Sequence, residues 1–105
     1  MAKEDLHVPR ESLRPITLNL HYAITSLIEE FEAVDWYRQR ADDCDDPELK
    51  AILLHNAKEE LEHACMVLEW IRRNDAETDS QLREYLFKTG SIAGHEEEAS
   101  GEHGL

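Results

Sequence analysis

The sequence predicts an all-α fold, an antiparallel hairpin of two long helices followed by one short helix. Two long segments carry apolar residues at alternating spacings of three and four, the pattern of helices that pack on other helices. A short acidic stretch that ends in a proline separates them, and a short connection makes neighbouring helices antiparallel. A chain of 105 residues allows a single domain.

Helix 1 is predicted from about Pro15 to Ala41. Proline suits the first turn of a helix, because its missing N–H would have no partner there. Residues 1–14 before it are polar, show no sustained periodicity and are expected to form a flexible arm. The stripe of helix 1 that should face other helices contains one acid among apolar residues: Ala23, Leu27, Glu30, Val34 and Tyr37.

Helix 2 is predicted from about Pro47 to Arg73. Asp46 is a suitable N-cap, since its carboxylate can accept hydrogen bonds from the first free N–H groups, and Pro47 follows at the first helical position. Its stripe again alternates spacings of four and three, and it contains polar groups in its middle: Leu49, Leu53, Asn56, Glu60, His63, Val67 and Trp70.

A third, shorter helix is predicted from Asp79 to Lys88. Thr78 and Gln81 have the spacing of a capping box, and Gly90 is expected to close the helix. The helical domain would then span residues 15–90. Residues 91–105 are rich in Gly, Ser, Glu and His without an apolar period, and we expect an acidic disordered tail.

Glu60 and His63 are the main candidates for chemistry. They are three residues apart and therefore share a helix face, and Glu30 occupies the stripe of the other helix. A carboxylate in a packed stripe must be protonated, paired or bound to a cation. One helix with a single Glu and one with Glu-x-x-His supply half of the ligands of a di-iron four-helix bundle. The alternative interpretation is that Glu60 and His63 form an ordinary surface pair.

The composition restricts the partners. Lys and Arg number 11 against 24 Asp and Glu, a formal net charge of -13, which argues against nucleic acid and anionic membranes and favours cations. No apolar run approaches a membrane span and the start lacks a signal peptide, so a cytoplasmic location is expected. The two cysteines show no metal or redox motif. The remaining histidines lie off the stripes or in the termini and are interpreted as non-ligands: His7, His21, His55, His95 and His103.

A hairpin with one short helix leaves much apolar surface uncovered, so the sequence also predicts a homo-oligomer. Two hairpins that face each other would combine two copies of Glu30, Glu60 and His63. Carboxylates in excess over imidazoles suit iron or manganese better than soft metals. Two iron ions held together could each give one electron to O₂.

Two segments of the chain carry a family resemblance. Residues 29–37 read EEFEAVDWY, and residues 55–75 read HNAKEELEHACMVLEWIRRND. Both closely resemble the encapsulated ferritins, and the resemblance extends over roughly residues 15–90. It implies a protomer that dimerises into a ferritin-like four-helix bundle, with a ferroxidase centre at the interface and further association into a ring of ten subunits.

The resemblance also implies roles for single residues and for the whole protein. Glu30, Glu60 and His63 would bind the two iron ions, Glu29 and Glu32 would form an outer metal site, and Tyr37 and Trp36 would lie near the centre, Tyr37 with a catalytic role. The protein would oxidise Fe(II) with O₂ and supply iron for mineralisation and storage inside an encapsulin nanocompartment in the cytoplasm. No anchoring peptide is recognised after Gly90, so the shell partner is implied by the resemblance alone.

Two other functions remain open at the level of sequence. One is a non-catalytic protein that binds or buffers iron or manganese with the same ligands, and the other is a purely structural helical oligomer. Consumption of Fe(II) together with O₂ separates the enzyme from both. An oxygen carrier of the haemerythrin kind is disfavoured, because it needs more inward histidines than His63.

Overall fold

The computed structural model describes residues 6–96, and every regular element in that range is helical. A 3₁₀ helix, Arg10–Ser12, precedes α1 (Pro15–Asp43), α2 (Pro47–Asn74) and α3 (Ala76–Tyr85). α1 packs along α2, and α3 packs on the end of α2. The predicted all-α hairpin with a short third helix is confirmed. Both long helices run slightly beyond their predicted ends at Ala41 and Arg73.

The connection between α1 and α2 is short because Asp46 starts α2 at once. Its side chain accepts hydrogen bonds from the backbone N–H of Glu48 at 2.9 Å and of Leu49 at 3.1 Å, as predicted for an N-cap. Pro47 occupies the first helical position, where its fixed φ favours the helix. Three connecting residues, 44–46, therefore reverse the chain and set the register of α2 against α1.

The core of the hairpin lies beside the predicted stripe of α2. The residues buried in the part of the chain that the structure describes are Val34, Ala41, Ala57, Ala64 and Ile71. The three on α2 each follow a predicted position by one residue, which is a rotation of about 100° around a helix of 3.6 residues per turn. Alanines bring the two helices close together. The predicted stripe, including Glu60 and His63, therefore lies at the edge of the contact and stays partly open.

The boundaries predicted for the third helix are wrong. α3 begins at Ala76, because Asp75 rather than Thr78 is the N-cap and accepts a hydrogen bond from the backbone N–H of Thr78 at 3.1 Å. It ends at Tyr85, well before Gly90, and Phe87 then adopts a left-handed conformation with φ 59°. A positive φ cannot continue a right-handed helix. The side chain of Phe87 is fully exposed.

Both terminal regions have local structure where the structure describes them. Arg10 donates a hydrogen bond to the hydroxyl of Tyr22, which ties the segment before α1 to that helix. Residues 92–96 form a helical turn instead of the expected disordered tail. The Ser91 hydroxyl accepts a hydrogen bond from the Gly94 N–H at 2.9 Å, and the ring of His95 packs edge-on against Tyr85. Residues 1–5 and 97–105, which include parts of the predicted arm and tail, lie outside the described residues.

Ion pairs join the end of α2 to α3. Arg72 donates to both carboxylate oxygens of Glu69, at 2.8 and 2.9 Å, and to Oδ1 of Asp79 at 2.5 Å. Arg73 donates to Glu69 at 2.7 Å, and Arg83 donates to Asp79 at 3.0 Å. Hydrogen bonds from Arg72 and Arg73 lower the pKa of Glu69 from its ordinary 4.5 to about 2. None of the helices in the described range is long and apolar enough to span a membrane.

We expect Asp46→Ala to lower the free energy of unfolding by about 1 kcal/mol, because the first N–H groups of α2 lose their acceptor. Asp45→Ala removes the same charge from the same connection without removing the cap, and it is the control. Urea unfolding of both variants at one protein concentration is the measurement. Equal effects of the two substitutions would show that charge, not capping, matters here.

We expect the stability of the fold to fall as the pH decreases from about 4.5 towards 2, because Glu69 must then be protonated. The pKa of Glu69 in the folded protein lies below its ordinary value of 4.5. The ion pair therefore stabilises the fold fully when the pH is above 4.5, and this stabilisation is lost as the pH falls towards 2. Glu69→Gln should weaken this part of the pH dependence. Glu62→Gln is the control, since Glu62 is exposed on the same helix and makes no ion pair among residues 6–96. Thermal unfolding across this pH range measures the effect, and identical profiles for both variants would contradict it.

Candidate metal site

One cluster in the described part of the chain could hold a metal ion, and it consists of Glu30, Glu60 and His63. α1 supplies Glu30, and α2 supplies the other two from adjacent turns of one face. One ligand atom from each residue lies within 4.8 Å of the other two. The turn at residues 44–46 brings these residues to the same level of the hairpin.

The imidazole stands between the two acids. His63 Nδ1 lies 3.6 Å from Glu30 Oε2 and 3.7 Å from Glu60 Oε2, longer than a hydrogen bond in both cases. The side chains are 25% exposed for Glu30, 29% for Glu60 and 43% for His63. Glu30 Oε2 is itself enclosed, yet it accepts no hydrogen bond within residues 6–96. An enclosed carboxylate oxygen without a donor fits a cation as its partner.

The two carboxyl groups affect each other. The neighbouring carboxyl group of Glu60 raises the pKa of Glu30 above its ordinary value, and partial burial acts in the same direction. The imidazole of His63 beside Glu30 opposes this rise in the pKa of Glu30. Two carboxylates this close repel each other when both are ionised, and a divalent cation would relieve that repulsion.

The donor set is two carboxylates and one imidazole nitrogen, without a thiolate. Such oxygen-rich sets suit iron and manganese, whereas soft metals prefer thiolate or thioether ligands. Three protein ligands from one chain are only part of a coordination sphere. The cluster lies at the open edge of the hairpin, so further ligands could approach from that side.

The other predicted site residues lie outside this cluster. Glu29 and Glu32 are half-buried, but they occupy other faces of α1 than Glu30, about 100° and 160° away by helical rotation. Tyr37 is half-buried on the face of Glu30, two turns further along α1, and Trp36 beside it is exposed. Arg40 places its guanidinium over the ring of Tyr37, 5.5 Å from the centroid, a contact that the sequence analysis missed.

The other described histidines do not join the cluster. His55 Nε2 lies 3.6 Å from a carboxylate oxygen of Glu59 on the water-facing side of α2. His95 Nε2 lies 3.7 Å from a carboxylate oxygen of Glu84. Neither pair has a third ligand nearby within residues 6–96. The sequence analysis did not find the pair of His95 and Glu84, because it expected no structure after Gly90.

Comparisons with known proteins show the family to which this chain belongs. The family described as EncFtn-like matches residues 5–89. An encapsulated ferritin-like protein from Rhodospirillum rubrum is 56% identical over 91 residues, which are 87% of this chain and 65% of that protein. The chain thus spans slightly less than two thirds of that relative. The encapsulin nanocompartment cargo protein EncC from Myxococcus xanthus is 36% identical over 98 residues, which are 90% of this chain and 70% of that protein.

A solved structure shares the fold. The crystal structure of the protein ne0167 from Nitrosomonas europaea superposes with a TM-score of 0.80 and 53% sequence identity. The superposition covers 84% of this chain and 97% of the other. The matched region contains most of the helical hairpin, so the arrangement of α1 and α2 is shared by a protein of known structure.

Proposed function

Because this chain belongs to the EncFtn-like family, the encapsulated ferritin-like proteins, we propose that it is a ferroxidase that oxidises Fe(II) with O₂. The observation that carries the proposal is the cluster of Glu30, Glu60 and His63. It combines the ligand types that iron accepts with an enclosed carboxylate oxygen that lacks a donor among the described residues. The alternative is a protein that binds iron or manganese without turnover.

A second copy of the chain completes the proposed centre. Each hairpin offers one Glu from α1 and a Glu-x-x-His pair from α2, which is half of the ligand set of a di-iron bundle. The open edge around the cluster also carries exposed apolar side chains, among them Leu49 and Trp70 on the predicted stripe of α2. Two such edges would bury this surface against each other and bring together four carboxylates and two imidazoles. By the resemblance to the encapsulated ferritins, such dimers would associate further into a ring of ten subunits.

The chemistry of the proposed centre is a two-electron transfer. Each of two Fe(II) substrate ions loses one electron and becomes Fe(III), and one O₂ accepts both electrons. The carboxylates neutralise the growing positive charge of the oxidised ions, because anionic oxygen ligands bind the ion of higher charge more strongly. His63 supplies a neutral nitrogen ligand and keeps the negative charge of the site from rising further.

The names of two relatives support an encapsulin shell as the partner of this chain. They describe an encapsulated protein and a cargo protein of an encapsulin nanocompartment. By that likeness, this chain would deliver Fe(III) inside an encapsulin shell in the cytoplasm. Glu29 and Glu32 would form an outer site, where partly exposed acids on the flank of α1 collect Fe(II) before it reaches the centre.

We expect Glu60→Gln and His63→Ala each to reduce the initial rate of aerobic Fe(II) oxidation by at least tenfold, because each removes a proposed ligand. The measurement is the absorbance of Fe(III) after addition of a few Fe(II) ions per chain, together with O₂ consumption. Glu48→Gln is the control, since Glu48 is exposed on the same helix and more than three turns from the cluster. Circular dichroism should show unchanged helix content in all three.

The wild-type trace separates the candidate functions. Fast oxidation that saturates near one iron per chain supports a centre shared by two chains. Binding of Fe(II) without O₂ consumption would support the alternative function, a protein that binds metal without turnover. Wild-type rates in both Glu60→Gln and His63→Ala would remove the proposed centre.

Glu32→Ala should slow oxidation less than Glu60→Gln does, because it would affect delivery of Fe(II) and not its oxidation. The effect should shrink at high Fe(II) concentration, where delivery no longer limits the rate. Initial rates measured over a range of Fe(II) concentrations test this. A loss as complete as that of Glu60→Gln at every concentration would place Glu32 in the centre itself.

A further inference from the structure

Tyr37 stands at one margin of the proposed centre. It is seven residues after Glu30 on α1, which is two helical turns on the same face and about 10 Å along the axis. Because α2 runs antiparallel and meets Glu30 at Glu60 and His63, Tyr37 lies on the side of the cluster that is nearer the turn at residues 44–46. An oxidisable ring at this distance from iron and O₂ chemistry is either a path for electrons or a group that must be kept from reacting.

Arg40 covers this ring. Its guanidinium carbon lies 5.5 Å from the ring centroid, within the range of a cation–π contact, and the two residues are neighbours on adjacent turns of α1. Asp42 and Asp43 follow closely in the chain, yet Arg40 makes no ion pair with any carboxylate of the described residues. In this structure the guanidinium therefore lies over the ring of Tyr37 and not against a described carboxylate.

We propose that Arg40 is a positioning residue for Tyr37, which holds the ring in place and keeps it reduced beside the centre. The protective role of Arg40 rests on the proposed ferroxidase function, whereas the contact between Arg40 and Tyr37 does not depend on that function. A fixed positive charge over the ring face attracts the electron-rich ring and disfavours loss of an electron from it. Tyr37 then serves as a fixed polar group at the margin of the site and not as an electron donor, so the two electrons for O₂ come from two Fe(II) ions.

Tyr22 offers an internal comparison. The guanidinium of Arg10 lies 5.7 Å from the centroid of its ring and also donates a hydrogen bond to its hydroxyl. Tyr22 lies eight residues before Glu30, which is a helical rotation of about 80° and about 12 Å along the axis of α1. Tyr85 instead meets the ring of His95 edge-on at 5.4 Å between centroids, and no arginine covers it among the described residues. Tyr85 is therefore a reference for oxidation of a ring without a cation.

The first experiment measures the contact in metal-free protein by a double-mutant cycle of urea unfolding. Arg40→Met should raise the equilibrium constant for unfolding about 2- to 5-fold, as expected for the loss of an exposed cation–π contact. The same effect should remain in a Tyr37→Phe background and vanish in a Tyr37→Leu background. Equal effects of Arg40→Met in all three backgrounds would overturn the contact.

The second experiment tests protection of the ring without iron. Metal-free protein is oxidised with photogenerated tris(bipyridine)ruthenium(III) and persulfate, and mass spectrometry measures oxidised Tyr37 relative to Tyr85. Arg40→Gln should raise this ratio at least twofold, whereas Arg40→Lys, which keeps the charge, should stay closer to wild type. Arg38→Gln is the matched control, because it removes an exposed arginine of α1 that covers no ring in residues 6–96.

The outcomes separate this inference from the proposed function. A ratio for Arg40→Gln no greater than that for Arg38→Gln would overturn the protective role of Arg40, whatever the iron chemistry. If both experiments give the expected results and the wild type does not oxidise Fe(II), the contact stands and the ferroxidase function fails. A tyrosyl radical detected by electron paramagnetic resonance during wild-type turnover, and absent in Tyr37→Phe, would also overturn the inference.

Discussion

The central constraint on this protein is the close approach of two carboxyl groups, Glu30 and Glu60, at the edge of a helix pair. Neither group has a Lys or Arg partner among the described residues, and the nearest positive candidate is the imidazole of His63. A chain that keeps acids there without cationic side chains does so at a cost in repulsion and desolvation. The raised pKa of Glu30 and its enclosed carboxylate oxygen are both consequences of this one arrangement.

The packing of α1 on α2 explains why the cluster stays reachable. Alanines at positions 41, 57 and 64 allow the helices to touch over a narrow line, and larger side chains are left to the two edges. The acids and His63 therefore sit neither in the core, where an unbound charge would be too costly, nor fully in water. Partial exposure leaves the ligand atoms of the cluster accessible to an ion from solution.

Much of this arrangement could be predicted from the sequence, because it depends on local rules. Asp46 and Pro47 mark the start of α2 by their capping chemistry, and the spacing of Glu60 and His63 places them on one face. The face of α2 that packs on α1 differs from the predicted face by one residue, which is a rotation of about 100°. A stripe of alternating spacing gives the apolar side of a helix, but it does not show which part of that side meets the neighbour within the chain and which part is left for another chain.

The remaining differences arise from competition between signals of similar strength. Asp75 and Thr78 are both good N-caps, and only the geometry after α2 decides that Asp75 starts α3. The end of α3 depends on Phe87 adopting a left-handed conformation, which its residue type does not favour. The cation over Tyr37 could have been foreseen from the i, i+3 spacing of Arg40, yet several aspartates nearby offered equally plausible partners.

The short reversal at residues 44–46 also has a kinetic meaning. Because α1 and α2 are neighbours in sequence as well as in space, nearly all contacts of the hairpin form by closing one small loop. Helical proteins with such local contacts fold on timescales of about microseconds to milliseconds. The cluster of Glu30, Glu60 and His63 can thus form quickly within one chain, whereas completion of the proposed two-chain centre would be a bimolecular step. The rate at which complete centres appear in a cell would then be governed by the concentration of the chain and not by its folding.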